Sequence, residues 1–356
     1  MEQEGYIPPN GENVGNIGGK HMSSGSDNSP EHVIKRLLEI DRTIDSILNE
    51  LTTSLEERAK GLFGSGGLCD SVELIPYPNR YFVAQEFNEN KDDLRKSIDI
   101  ALGKFGYSSI AANDFYLPEK LICKISALIQ GTPFGVYQLS ASQNRNVYLE
   151  LGIALGLGKP FVLVKDKNAN PTRIVRDIEH YPINSYLGLQ YELGSLLEKH
   201  ITSIGRLRPQ KINTVKLDNN VVIYHGDVDD IDITVTLAKK IKSLGFTPVI
   251  LGERREEIVR YLKSEAKIEP EFAGTRDQIV ETIQKSRLGI FRIHKSASAD
   301  NFVALGISIG FNKPFLPIKL STDEPPSDLY HLSALSYAGF SNLEAQLQDW
   351  VESRMG

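Results

Sequence analysis

Two stretches of this chain repeat each other at a fixed separation, and that duplication restricts the possible folds more than any other feature. Leu151-Gly152-Ile153 matches Leu305-Gly306-Ile307, and Lys159-Pro160-Phe161 matches Lys313-Pro314-Phe315, both 154 residues apart. Asp177, His180, Ser185, Tyr186 and Gly188 then match Asp328, His331, Ser336, Tyr337 and Gly339 at 151, which a three-residue deletion in the intervening loop explains. A chain of 356 residues has room for two domains of about 130 to 150 residues, each burying most of its own apolar surface. Two successive copies of one domain are expected, over 79–204 and 218–356.

Each copy alternates strand-like and helix-like stretches. In the first, strands are expected at 81–84, 107–111, 134–139, 160–164 and 185–189, with helices over 92–104, 118–130, 146–157 and 192–201. The same plan restarts after the basic linker 206–216. Alternation with short connections means a parallel sheet covered on both faces. The expected fold is α/β: two tandem flavodoxin-like, Rossmann-like domains with five-stranded parallel sheets in the order 2-1-3-4-5. Ligands in such folds sit at the carboxyl ends of the strands, near the switch between the first and third strands.

The first 29 residues are rich in Gly, Asn, Ser and Pro, and they read as a disordered leader, either native or ending at a cloning site near Met22. From 30 to 61, Val33, Leu37, Ile40, Ile44, Ile47, Leu51 and Leu55 form a heptad-like stripe on an amphipathic helix. That helix either packs on its own subunit or joins subunits into a homo-oligomer. No stretch approaches the roughly 20 apolar residues of a membrane span. Forty basic against 46 acidic residues leave a net charge of −6, which works against nucleic-acid binding. Cys69 and Cys123 show no zinc or disulfide-framework spacing, which points to a reducing compartment, with the cytoplasm as the simplest location. No metal cluster is visible.

Chemistry concentrates on 146–158, where Glu150 is the only ionisable acid on an otherwise apolar helix. A carboxylate in that setting must be paired, neutralised or open to a cleft, because burying it alone is costly. Near the helix start the macrodipole favours its ionised form, which suits a nucleophile or electrostatic stabiliser better than a general acid. The second copy has Ala304 at the equivalent position and Asp300 opposite Asn146, so the fold itself does not require the glutamate. Asn146, one turn earlier, either caps the helix or bonds a ribose hydroxyl, and capping is the simpler account. Ser140 and Ser142 lie in the turn that should face a ligand, Gln85 follows the first strand, and Phe87 either stacks a base or packs in the core. Gly152, Gly156 and Gly158 lack the phosphate-loop pattern and suit close helix packing instead. His180 and His331 recur in both copies and read as structural.

The run Asn144-Arg145-Asn146-Val147-Tyr148-Leu149-Glu150-Leu151-Gly152, followed by Ala154 and Gly158-Lys159-Pro160, resembles the asparagine-containing Glu-Leu-Gly motif of the nucleoside 2-deoxyribosyltransferase-like and TIR-like superfamily. Tyr81-Phe82-Val83-Ala84-Gln85-Glu86-Phe87 is similar to that group's first strand and the phenylalanine after it. The resemblance covers roughly 79–200 clearly and 218–350 weakly. It implies a nucleoside, nucleotide or NAD ligand and makes Glu150 the catalytic glutamate that engages the anomeric carbon. N-glycosidic cleavage is the activity implied, by hydrolysis or by transfer of deoxyribose, in a defence or signalling effector. Gln85, Phe87, Ser140, Ser142 and Asn146 would hold the substrate. NAD would be a substrate, and no cofactor is called for. The turn 139–143 lacks the aspartate often found at that strand end in the group, and the second copy, without the glutamate, becomes a degenerate domain that binds, dimerises or regulates. The alternative reading is a non-catalytic module that senses a nucleotide.

Overall fold

A computed structural model of the chain describes residues 62, 67–86, 91–114, 120–183, 188, 190, 194, 217–224, 231–252, 255–294, 297–325, 329 and 332–355. All of them fall within one compact unit, Thr52–Gly356. The expected disordered leader, the stripe-bearing helix over 30–61, the helix over 192–201 apart from Gly194, Phe87 and His331 lie outside the described residues.

The first sheet is built from β1 (Arg80–Ala84), β2 (Ser108–Ile110), β3 (Gly135–Leu139), β4 (Phe161–Asp166) and β5 (His180–Ile183). All its pairings are parallel, in the order β2-β1-β3-β4-β5. Helices α1 (Lys91–Gly103), α2 (Leu121–Gly131) and α3 (Arg145–Gly156) connect the strands. The second copy contains β6 (Asn220–Tyr224), α4 (Ile231–Ser243), β7 (Thr247–Leu251), α5 (Glu256–Ser264), β8 (Glu271–Ala273), α6 (Arg276–Lys285), β9 (Leu288–Arg292), α7 (Ala299–Gly310), β10 (Phe315–Leu320), β11 (Leu335–Tyr337) and α8 (Phe340–Met355). Its sheet runs β11-β10-β9-β6-β7-β8, again parallel. The 2-1-3-4-5 order holds in the first sheet; the second, numbered within its own copy, runs 3-2-1-4-5-6 and has six strands instead of the expected five, because α5 and β8 follow β7 before the chain returns to the centre of the sheet.

Strand register corrects part of the repeat. Lys165 pairs with Pro182 and Lys319 with Ser336, so Ser336 is equivalent to Pro182 and the separation remains 154. Ser336 and Tyr337 are therefore equivalent to Pro182 and Ile183, not to the Ser185 and Tyr186 that the 151 separation matches with them. The last strand of the first sheet is β5 at His180–Ile183, and the expected strand at 185–189 lies, apart from Gly188, outside the described residues.

The extra strand answers a physical problem that the first copy solves differently. An edge strand leaves outward N–H and C=O groups open to unwanted pairing. In the second sheet β8 covers β7 and leaves a strand of only three residues as the edge. In the first, β2 is the edge, and side chains occupy its outward groups: the Ser109 N–H donates to Asp99 Oδ1 at 2.7 Å, while Arg80 Nη1 donates to the Ser109 carbonyl at 3.3 Å. Asp99 also accepts from the Tyr81 hydroxyl and from Ser109 Oγ, and Arg95 spans Ser109 Oγ and Asp114. Burial, then the Asp99 charge, pushes the Tyr81 phenol up, so it remains a donor.

The central core cluster draws on both copies. It contains Leu139, Leu149 and Leu151 from the first and Phe291, Phe302 and Leu305 from the second. Its centre is the crossing of α3 and α7. A Cβ added at Gly152 would lie 2.2 Å from the Val303 carbonyl oxygen and 2.9 Å from the Gly306 Cα. One added at Gly306 would meet the Leu149 carbonyl oxygen at 2.2 Å and the Gly152 Cα at 2.8 Å. Gly156 and Gly310 oppose each other in the same way one turn further on. Glycines four apart on both helices thus bring the two backbones together, and Gly152 and Gly306 occupy equivalent places, as the repeat requires.

Cys69 and Cys123 are joined in a disulfide that ties the segment before β1 to α2. This corrects the reading of the pair and removes the ground on which a reducing compartment was inferred. Among the described residues no helix is long and apolar enough to cross a membrane.

Since the atoms facing Gly152 are backbone and cannot rotate away, Gly152→Ala is expected to destabilise the protein by about 2 kcal/mol or more. Gly103→Ala, at the end of α1 where a Cβ meets nothing within 4 Å, should leave the unfolding free energy measured in denaturant unchanged or slightly raised.

Candidate functional site

The carboxyl ends of β1, β3 and β4 carry a polar cluster at the point where strand order reverses. On β3, Gln138 is buried; its Oε1 accepts from the Glu86 N–H and its Nε2 donates to Asp166 Oδ1 at 2.9 Å. Asp166 ends β4, and Glu86 follows β1 with Gln85 beside it. Past β3, buried Ser140 shares a 2.8 Å hydrogen bond with exposed Ser142, whose hydroxyl donates to Glu86 Oε1 at 2.7 Å. Gln143 closes this turn at φ 53, a left-handed conformation costing a non-glycine residue about 1 kcal/mol or more, and its Nε2 donates to the Asn170 carbonyl.

Asn144 then starts α3, its side chain accepting from the Asn146 N–H at 3.0 Å. Capping therefore belongs to Asn144, which corrects that reading of Asn146; Asn146 sits half-buried inside the first turn. Glu150 comes one turn later on the same face and is 8 % exposed. The apolar character of α3 reflects its place between the first sheet and α7, with Leu149, Leu151, Ile153 and Ala154 all buried. Glu150 lies close enough to the sheet that its charge, after burial itself, raises the Tyr137 phenol well above its usual range. The second copy has Phe291 and Ala304 at these two positions, both fully buried.

The structure thus brings Ser140 and Ser142 together with Glu86, and sets Gln85, Asn146 and Glu150 on elements bordering the same strand ends. Glu86, Gln138 and Asp166 join the cluster although sequence pattern alone did not single them out. Asp166 places a carboxylate at the end of the neighbouring strand, where the turn 139–143 has none. A signal existed in the strand pattern: a glutamine inside an otherwise apolar strand needs partners once buried.

The second copy reaches into the border of this cluster. Asp300, buried near the start of α7, accepts from the Ile174 N–H through Oδ1 at 3.0 Å and from the Arg173 N–H through Oδ2 at 3.2 Å. It anchors the segment between β4 and β5 that also presents Asn170. Burial, and then the Asp300 charge, pushes the Tyr148 phenol up to about 12. His180 bonds the Ile178 carbonyl through Nδ1, a local contact in keeping with a structural role. An open cavity lined by Arg80, Arg95, Lys96, Asp99, Ser108 and Ser109 belongs to the β2 edge described above. Among the described residues no group of acidic, histidine and cysteine side chains is arranged to hold a metal ion.

No family model and no curated protein matches the chain. Similar solved structures include a family 9 glycosyl transferase from Veillonella parvula, with a TM-score of 0.32 and 11% identity over 79% of this chain and 98% of that one. A UDP-GlcNAc 2-epimerase from Neisseria meningitidis, bound to UDP-GlcNAc, gives 0.27 and 12% over 78% and 92%. A mitochondrial ornithine carbamoyltransferase from Coccidioides immitis gives 0.24 and 11% over 85% and 93%. Likeness at this level says nothing about the site.

Two charged hydrogen bonds from one buried carboxylate set an expectation for Asp300→Ala: a loss of about 3 kcal/mol in urea unfolding. Faster amide exchange should be confined to the neighbourhood of Arg173 and Ile174. Asp300→Asn, which keeps one acceptor, should lose roughly half as much.

Proposed function

We propose that the first copy breaks the N-glycosidic bond of a nucleoside, nucleotide or NAD, with Glu150 acting at the anomeric carbon. One observation carries this reading: a buried carboxylate sits on a helix whose duplicate holds Ala304, also buried, in the equivalent place. Burying a carboxylate costs free energy that an alanine does not, so its presence in one copy alone calls for a purpose other than folding.

The chemistry matches the group. Cleavage passes through an oxocarbenium-like state, which a carboxylate stabilises by charge or traps covalently. As the C–N bond breaks, its electron pair leaves with the base, which takes up a proton if the substrate is a neutral nucleoside or nucleotide and departs as neutral nicotinamide if it is NAD, and Glu150 bonds the sugar. Water then attacks the same carbon, loses a proton and frees the carboxylate; an acceptor base in place of water gives transfer. Gln85, Ser142 and Asn146 are suited to bonding sugar hydroxyls, and Phe87 to stacking on the base. Ser140, held by Ser142, and Glu86, tied to Gln138, give the cluster a fixed geometry, which favours orientation of the sugar before reaction.

Glu150→Gln keeps size and most hydrogen bonding while removing the charge. Release of free base from a panel of nucleosides, nucleotides and NAD should fall by at least about a hundredfold, with the melting temperature maintained. If wild-type protein binds a nucleotide but releases no base, and the substitution merely weakens that binding, the chain is a nucleotide sensor and the enzymatic reading is wrong.

A further inference from the structure

The duplicate lacks a second polar group along with the Glu150 carboxylate. Register pairs Phe82 with Gly135 and Val222 with Gly289, so Tyr137 on β3 and Phe291 on β9 are equivalent. Both rings are fully buried, and each lies over the glycine that precedes it on its strand. A Cβ added at Gly135 would meet Tyr137 Cε2 at 2.5 Å, and one added at Gly289 would meet Phe291 Cε2 at 2.4 Å. The ring is thus seated alike in the two copies, and the phenol oxygen is not needed to seat it. Where Glu150 gives way to Ala304, this oxygen is missing too.

The hydroxyl is unfavourable where it stands. Tyr137 lies in the central core with Phe82, Leu139 and Leu163, the Phe161 ring is edge-on to it at 6.1 Å, and among the described residues its hydroxyl has no hydrogen-bond partner. An unpartnered buried hydroxyl destabilises a fold, and phenylalanine removes that penalty while keeping the ring. The charge that reaches it is that of Glu150, on the helix α3 that packs against β3. Burial, and then that charge, holds the phenol well above its usual range, so the hydroxyl keeps its proton and meets a carboxylate as a donor. One other phenol is lost at an equivalent position on α3 and α7, Tyr148 to Phe302, but it feels the charge of Asp300 instead.

We propose that the Tyr137 hydroxyl is a positioning group for Glu150: it donates to one carboxylate oxygen when that side chain turns to a bound sugar, and the other oxygen then faces the anomeric carbon. This inference rests on the function proposed for the first copy. A carboxylate has two equivalent oxygens and several rotamers, and a single donor on a ring enclosed by Gly135, Phe82 and Phe161 selects among them. A hydrogen bond to the ionised form also favours that form, which suits a nucleophile. No proton moves between the two groups. As a Glu150 oxygen bonds the sugar, the electron pair of the C–N bond leaves with the base, and Tyr137 stays protonated throughout. The second copy has no carboxylate to aim, and Phe291 fills the same space without the hydroxyl.

The test follows base release by the full chain from adenosine, guanosine, cytidine and uridine, from their 2′-deoxy and 5′-phosphate forms, and from NAD. On the substrate cleaved fastest, Tyr137→Phe should lower kcat by about tenfold or more and change KM by less than about twofold. It should melt at or above the wild-type temperature, since it removes an unpartnered buried hydroxyl and leaves the ring. Added to Glu150→Gln it should lower the residual rate no further, because the group it positions is already altered. Tyr148→Phe, the other phenol replaced in the second copy, should leave kcat and KM unchanged. An unchanged kcat in Tyr137→Phe overturns the proposal and leaves Glu150 as the reacting group. A rise in KM alone would make the hydroxyl a ligand contact, and a lost kcat accompanied by a lower melting temperature would make it part of the framework; either result overturns the positioning role. A wild-type chain that releases no base from any of these substrates overturns the function proposed for the first copy, and this inference with it.

Discussion

The approach of two helix backbones at four glycines is the constraint on which the rest of this molecule depends. Gly152 and Gly156 on α3 face Gly306 and Gly310 on α7 so closely that a methyl group at any of them would overlap backbone atoms of the other helix. No side chain can relieve such an overlap by changing rotamer. The same crossing explains why both helices are apolar almost all round: each lies between its own sheet and the other helix, with no face left for water. The copies therefore share a core. Asp300 extends that sharing to the site, since a residue of one copy holds the backbone of a segment bordering the polar cluster of the other.

Duplication also separates what the fold requires from what one copy added. Strand order, the helix crossing and the buried ring over Gly135 or Gly289 occur twice, as Tyr137 and Phe291. Glu150, the Gln138 bridge and the Ser140–Ser142–Glu86 chain occur once. The edge strands show the same separation: one sheet satisfies the outward groups of β2 with Asp99 and Arg80, and the other adds β8. Two solutions to one hydrogen-bonding problem imply that neither set of side chains is dictated by the topology, and they account for the six-strand count in the second sheet.

Much of the fold was legible in the sequence because apolar periodicity and the 154-residue repeat both report on burial. Strand order, the equivalence of Gly152 with Gly306, and Glu150 as a single acid on an apolar helix came directly from them. The rest depended on contacts between distant residues. Three-residue strands such as β8 carry too little periodicity to recognise. The pairing of Ser336 and Tyr337 with Ser185 and Tyr186 at 151 is overruled by strand register, which a sequence match cannot supply. The Cys69–Cys123 bond joins residues 54 apart in sequence, a pairing that spacing does not reveal. Asn144 and Asn146 are both able to cap a helix, and only geometry selects Asn144. Gln138 and Asp166 become neighbours through the pairing of β3 with β4, so their role at the strand ends could not be read from either position alone.

At the centre of this account is the claim that Glu150 is retained for chemistry at a cost to stability. Equilibrium urea unfolding of Glu150→Ala, which gives the first copy the residue already present at Ala304, tests it most directly. The expected unfolding free energy is equal to or above that of the wild-type chain, because a buried carboxylate is removed from a fold that its duplicate forms without one. A loss of about 3 kcal/mol or more would mean that Glu150 is part of the framework of the first copy, and would contradict the claim.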